Sequence, residues 1–333
     1  MMNRRENFLR FINHEPHDHV PCAFDVCMAG GQREMFENGF ENDVDGFGLK
    51  WVKTATGMGS GTPVANQELI PDITEWQKYL KLPDIANYDW QAQADEQLAN
   101  YNPETQALNY GCWNGQFLRF THLLGFENAL CQMLMEPEAS MELIQAITDY
   151  RIETLPYIKK YFNPDTVTIY DDVAASTRMF ISPDVYEEMF VPEHKRFFDA
   201  VRSLDMIPSI HICGKCEDII PFLPVEGAEV WEIAEPTNDL VRLSAELGDK
   251  LAIFGGWSMT GEFAINCPED DVLRAAVRDT IDRYAPAGNY GYFGMLMFTD
   301  PQKMGETIVT LNSEALAYGT NYYVDGPGAD VFK

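Results

Sequence analysis

The sequence predicts an α/β fold, a TIM (β/α)8 barrel, and three observations carry that expectation. Short apolar runs alternate with helical patterns through the C-terminal two-thirds of the 333 residues, the rhythm of a parallel sheet. Candidate strands near 21–25, 49–53, 107–112, 166–171, 207–213, 228–233, 251–255 and 290–295 make eight, the tally of a closed barrel. Polar residues stand at the ends of these strands, where a barrel keeps its chemistry. A doubly wound open sheet is the competing arrangement.

Taken in order, the first helix lies in the basic opening MMNRRENFLRFINHEP, and His14, His17 and His19 follow it on the bottom side of a barrel, a structural position. The segment 54–106, rich in Gly, Thr and Asn and then in Trp, Tyr and Gln, reads as an insertion near the mouth. Met58, Gly59, Ser60 and Gly61 within it have too few phosphate-cradling features for a nucleotide loop. Ser182-Pro183 supplies a cap and an N1 proline, and Phe197, Val201 and Leu204 recur at i, i+4 and i+7. His194, in PEHKRFF, reads as a surface residue of that helical region. Asp239 precedes Leu240, Leu243 and Leu247 with Gly248 as the stop, Cys267-Pro268 opens a helix striped by Leu273, Val277 and Ile281, and Asp300-Pro301 starts the last helix. No Pro, Gly and Ser-rich linker or internal repeat divides the chain, so residues 1–333 read as one domain.

Composition narrows the function. Hydrophobic residues make up 46%, enough to fill a core and exclude disorder. Lys and Arg total 24 against 52 Asp and Glu, a net charge of −28 that repels nucleic acid. The apolar set at the N-terminus is too short for an export signal, and no apolar run reaches a membrane span, which points to the cytoplasm. Seven cysteines there read as thiols, metal ligands or core residues.

The sharpest chemical signal is His211-Ile212-Cys213-Gly214-Lys215-Cys216. In a strand, residues i and i+2 share a side, so the imidazole of His211 and the thiol of Cys213 project together into the barrel, two ligands that suit zinc. Cys216 falls where a helix should begin and is an alternative ligand. Glu232 and Glu235 end the next strand, and either carboxylate completes a three-ligand site with one position open. Asp171 and Asp172 close the strand before His211, fit to orient the histidine, act on substrate or cap a turn. Asp25 ends the first strand and is a candidate for substrate binding. Tyr292, Phe293 and Met295 on the last strand, with Trp257 after Gly255-Gly256, form an aromatic and Met-rich wall for a flat organic substrate.

The segments IYDD, SPDVYEEMFVPEHKRFFDAV, IPSIHICG, EGAEVWEIAEPTNDL, LGDKLAIFGGW and CPEDDVLRAAV, together with RRENFLRFINHEPHDHVPCAFD, resemble the uroporphyrinogen decarboxylase-like superfamily over nearly the whole chain. The resemblance implies a TIM barrel. Decarboxylases of that superfamily carry an arginine-containing RQAGRY-like segment after the first strand, where this chain reads CMAGGQREMF with only Arg33. The zinc- and corrinoid-dependent methyltransferase branch carries a His-x-Cys motif, matched by His211 and Cys213, and an acid where Glu235 stands. Its coenzyme M methyltransferases have a cysteine in the last strand, where this chain has AGNYGYFGMLMF. The resemblance implies Zn2+ held by His211, Cys213 and Glu235, with Glu232 and Cys216 as alternatives; Asp171, Asp172 and Glu232, from their places at the strand ends, are the catalytic candidates. It further implies methyl transfer between a small methylated, methoxylated aromatic compound and cobalamin presented by a corrinoid protein, and leaves a homodimer open. A metal-free decarboxylase and a non-catalytic corrinoid- or tetrapyrrole-binding protein are the rival readings.

Overall fold

Parallel strands covered on both faces read as near-continuous apolar runs, and ALNYGC, TVTIY and AIFGG fold as such, every residue buried. The computed structural model of the chain describes residues 2–30, 44–53, 61–298 and 300–333. In chain order its elements are α1 Arg4–Ile12, β1 Val26–Gly30, β2 Trp51–Lys53, β3 Gly61–Pro63, α2 Trp90–Gln97, β4 Ala107–Cys112, α3 Gln116–Leu124, α4 Phe126–Met135, α5 Pro137–Tyr161 and β5 Thr166–Tyr170. There follow α6 Pro183–Met189, α7 Val191–Ser203, β6 Ile207–His211, α8 Leu223–Glu226, β7 Val230–Ala234, α9 Leu240–Leu247, β8 Ala252–Gly256, α10 Glu262–Asn266, α11 Asp270–Tyr284, β9 Tyr290–Phe293 and α12 Pro301–Gly319.

Seven strands form one parallel sheet in the order β1-β4-β5-β6-β7-β8-β9. A parallel bridge between Cys22 and Tyr292, with Tyr292 N donating to Pro21 O at 2.7 Å, returns the chain before β1 to the far edge and curls the sheet into a TIM barrel. Two of the eight expected strands are corrected. The run near 49–53 is no barrel stave, because Trp51–Lys53 pairs antiparallel with Gly61–Pro63. The run near 21–25 makes only the closing bridge and a 3-10 turn, Ala23–Asp25, before β1 begins.

Period-2 alternation sorts the strand side chains into two cores. Leu108, Tyr110, Val167, Ile169, Ile210, Trp231 and Ile253 face outward, into the core shared with the surrounding helices. Ala107, Val230, Ala252 and Phe254 face inward, where Phe8, Phe11 and Ile12 of α1 pack against them. Helix α1 therefore plugs the N-terminal end of the barrel, and its own start is capped by Asn3, which accepts from Glu6 N. His17 packs there against Tyr323 and Phe332, a structural role.

The expected helix caps form: Ser182 accepts from Val185 N, Asp239 from Arg242 N and Asp300 from Gln302 N. One is displaced, since Cys267 ends α10 in a left-handed conformation and α11 starts at Asp270. Among the described residues no helix is long and apolar enough to cross a membrane.

Candidate metal centre in the barrel cavity

The alternation that builds the cores also selects the site. On β5 and its extension Tyr170 and Asp172 share the inward face, and on β6 and its extension His211 and Cys213 do. Parallel register sets Tyr170 beside His211 and His211 beside Glu232. One ligand atom each from Asp172, His211 and Cys213 lies within 4.8 Å of the others. Asp172 also ties the two strand ends together, because its Oδ1 accepts from Cys213 N at 2.8 Å. The turn after Cys213 needs glycine: Gly214 has φ +85°, and a Cβ there would stand 2.6 Å from Ala175 O. The His211 ring stacks on Tyr170 at 4.5 Å between centroids, and Tyr170 stacks on Trp113 at 4.5 Å, so the imidazole is held flat against a rigid aromatic stack.

Burial governs the protonation of these groups. It lowers the pKa of His211 against the pull of the Asp172 charge, which favours the neutral imidazole that ligates metal. It pushes the Cys213 thiol up, with Asp172 adding to the effect, so the thiol keeps its proton until a cation arrives. Glu232 is pushed up to about 7 by burial, opposed by hydroxyl donors from Tyr170 and Thr168, and so exchanges its proton near neutrality. Glu235 is raised by burial too, although Gly214 N donates to its Oε1 at 3.2 Å. Among the described residues His211 Nδ1 is buried without a hydrogen-bond partner, and Glu232 Oε1, 4.0 Å away, is beyond bonding range. His211 Nε2 lies 3.7 Å from Asp172 Oδ1, so an imidazole nitrogen, a thiol and a carboxylate converge in a donor set that fits zinc with a position left open.

These groups stand in a cavity of about 1090 Å³. Met28, Trp51, Trp113, Phe293, Met295 and Met297 contribute to its walls, and Gly61, Thr62, Pro63 and Gln97 bring part of the expected insertion to it. Among the described residues that line it, none is Lys or Arg. Arg33 and Met58, Gly59 and Ser60 lie outside the described residues.

Of the residues expected in the site, the structure brings together Asp172, His211, Cys213, Glu232, Glu235, Phe293 and Met295. Glu235, expected as the third metal ligand, lines the cavity but stands outside the group within 4.8 Å, where Asp172 takes that position. Cys216 is turned away, buried with its Sγ 4.0 Å from Ile212 O. Asp171 is corrected from a catalytic to a structural position, since its oxygens accept from Phe117 N and Leu118 N and meet His194 Nε2 at 2.9 Å. Asp25 accepts from Cys22 N and pairs with Arg4, away from the cavity lining. Tyr292 and Trp257 also leave the lining and pack against each other at 6.2 Å, because Tyr292 alternates with the inward Phe293. His194, expected on the surface, is fully buried between Asp171 and Glu226.

Several lining residues escaped the sequence reading. Trp113 and His122 follow β4 without a local motif, and burial beside Arg119 lowers His122 to about 3, a neutral ring in an apolar wall. Asn109 and Ser209 were hidden inside strands, although the period-2 pattern places each on the face of Gly111 and His211.

A solved structure of a methyltransferase from Methanosarcina mazei superposes on the chain with a TM-score of 0.68 at 13% sequence identity, covering 96% of this chain and 99% of that one. No curated protein matches the chain. Residues 51–310 match the family model of uroporphyrinogen decarboxylase (URO-D), and a match over that share of a barrel with this strand order means that the chain belongs to the uroporphyrinogen decarboxylase family.

Proposed function

We propose that this member of the family is a zinc-dependent methyltransferase that moves a methyl group from a small methylated compound, of the methoxylated aromatic class, to the cobalamin of a separate corrinoid protein. The observation that carries the reading is the convergence of Asp172, His211 and Cys213 at the head of a cavity whose described lining holds no cation. A tetrapyrrole bearing many carboxylates has no guanidinium partner on that wall, and desolvating its charges against Asp172, Glu232 and Glu235 is costly. The methyltransferase activity of the structural neighbour agrees with this choice within the family.

His211, Cys213 and Asp172 are the residues that would hold zinc, with Glu235 beside them. Bound there, the metal supplies Lewis acidity toward the heteroatom that carries the methyl group. The chain's own residues do the rest. Trp113 and Tyr170 fix the His211 ring, while Phe293, Met295 and Met297 cover the substrate and exclude water. Cobalamin on its carrier protein would supply the nucleophile that takes the methyl group, and the oxygen left with the pair of the broken C–O bond would need a proton. Glu232, poised near neutrality, holds one at its carboxyl.

The test is methyl transfer to cob(I)alamin, free or on its carrier, followed by the corrin absorption spectrum across aryl methyl ethers, methanol, methylamines and methyl thiols. Methylcobalamin is expected from an aryl methyl ether. No transfer from any donor, or decarboxylation of uroporphyrinogen, would overturn the assignment.

A further inference from the structure

The lumen of a TIM barrel is ordinarily filled by layers of interdigitating side chains. In this protein it is open. The cavity that begins at His211 and Cys213 runs down the barrel axis to Val26, Thr166 and Val230, the first residues of β1, β5 and β7, and reaches Phe8 of the α1 plug. Small inward residues on its wall, among them Thr166 and Ser209, leave that space.

Two polar groups in the open lumen are unspent. The Asn109 Oδ1 accepts from Thr166 Oγ1 at 2.9 Å, with Thr168 Oγ1 3.0 Å away, and its Nδ2 meets only a thioether, Met28 Sδ at 3.3 Å, among the described residues. Thioether sulfur is a weak acceptor. Ser209 is 2% exposed, lines the cavity, and its Oγ has no partner among the described residues. Buried polar groups are almost always paired, so a hydroxyl and an amide left over on one wall point to a ligand that completes them. Ser209 precedes His211 by two residues on one strand, which sets it about 6.6 Å below the metal donors.

We propose that the barrel lumen beneath the metal donors is a substrate subsite for an uncharged hydrogen-bond acceptor, received by Asn109 Nδ2 and Ser209 Oγ. The methyl-transfer reading enters only in identifying the upper end of the ligand as the methyl-bearing heteroatom. A flat ring spans the two levels, with Met28, Phe254 and Phe293 against it and a hydroxyl or carbonyl oxygen on its far side. A carboxylate in that place would be desolvated without a cationic partner among the described residues, beneath three acids.

Anisole, 4-methoxyphenol and 4-methoxybenzoate titrated into the full chain test this by quenching of tryptophan fluorescence, since Trp51 and Trp113 line the cavity. The phenol is expected to bind about 5- to 10-fold more tightly than anisole, the scale of one or two neutral hydrogen bonds, and the benzoate more weakly than either. Ser209→Ala, which removes a single oxygen, should bring the phenol-to-anisole ratio toward one. Ser209→Leu fills the lumen and should abolish binding of both rings. A ratio near one in the unaltered chain, an unchanged ratio in Ser209→Ala, full binding in Ser209→Leu, or no saturable binding of any ring would each overturn the subsite. The titration needs neither corrinoid nor turnover. A lost ratio with methyl transfer intact therefore removes the subsite alone, and an intact ratio without methyl transfer removes the catalytic reading alone.

Discussion

Asp172→Asn, His211→Ala and Cys213→Ala are each expected to cut the zinc retained after dialysis from about one per chain to less than about a tenth, with the barrel still melting cooperatively. The three side chains supply the donor atoms found within 4.8 Å, so loss of any one leaves two protein ligands and an oversized opening. Glu235→Gln should be milder, weakening zinc by about 10- to 100-fold, because its carboxylate supports the Gly214 turn and the local field. Cys216→Ser should change nothing measurable, since that sulfur faces the Ile212 carbonyl. Burial holds the Cys213 thiol protonated without metal, so uptake releases a proton and retention should fall as pH is lowered. Elemental analysis by mass spectrometry on the folded variants decides. Full occupancy in Asp172→Asn with loss in Glu235→Gln would return the third position to Glu235.

The second large effect lies behind the site. His194→Leu is expected to destabilise the chain by about 3–5 kcal/mol, the cost of leaving buried carboxylates without their cation. His194 Nε2 lies 2.9 Å from Asp171 Oδ2 and its Nδ1 lies 3.2 Å from Glu226 Oε2, with none of the three side chains exposed. Burial alone would lower the imidazole, but the Glu226 charge and the hydrogen bonds that the ring donates to Asp171 and Glu226 outweigh it and raise the pKa to about 10. An unfolded histidine titrates near 6.5. Because the folded value is the higher one, this stabilisation is complete below pH 6.5, declines above it and is lost as pH passes 10. Calorimetry from pH 6 to 10 should therefore find the melting temperatures of the unaltered chain and His194→Leu converging as pH rises. A difference that stays constant over that range would mean that His194 is not charged in the folded state.

How much of this was readable in the sequence depends on which rule was applied to each residue. The i, i+2 rule brought His211 and Cys213 together correctly, and the same rule applied to TVTIYDD separates the two aspartates: Asp172 shares the face of Thr166, Thr168 and Tyr170, while Asp171 shares that of Val167 and Ile169. It also separates Phe293 from Tyr292. His194 was legible in principle, since it sits three residues before Phe197 and seven before Val201, on the buried stripe of α7. Its flanking charges masked it, and its partners Asp171 and Glu226 are 23 and 32 residues away. The hairpin strand β2 resembles a stave in sequence because it is apolar and well spaced. The exposure of Lys50 and Val52 against the burial of Leu49 and Trp51 is the half-exposed alternation of an antiparallel strand. The choice between Asp172 and Glu235 needed three dimensions, because it turns on how far the loop after Cys213 folds back over the strand ends.

X-ray absorption spectroscopy of the zinc-loaded chain tests the centre most directly. The account predicts one sulfur ligand at about 2.3 Å with nitrogen and oxygen ligands at about 2.0–2.2 Å, and loss of the sulfur shell in Cys213→Ala. A zinc shell without sulfur, a shell with two sulfurs, or a chain that takes up no zinc would contradict it.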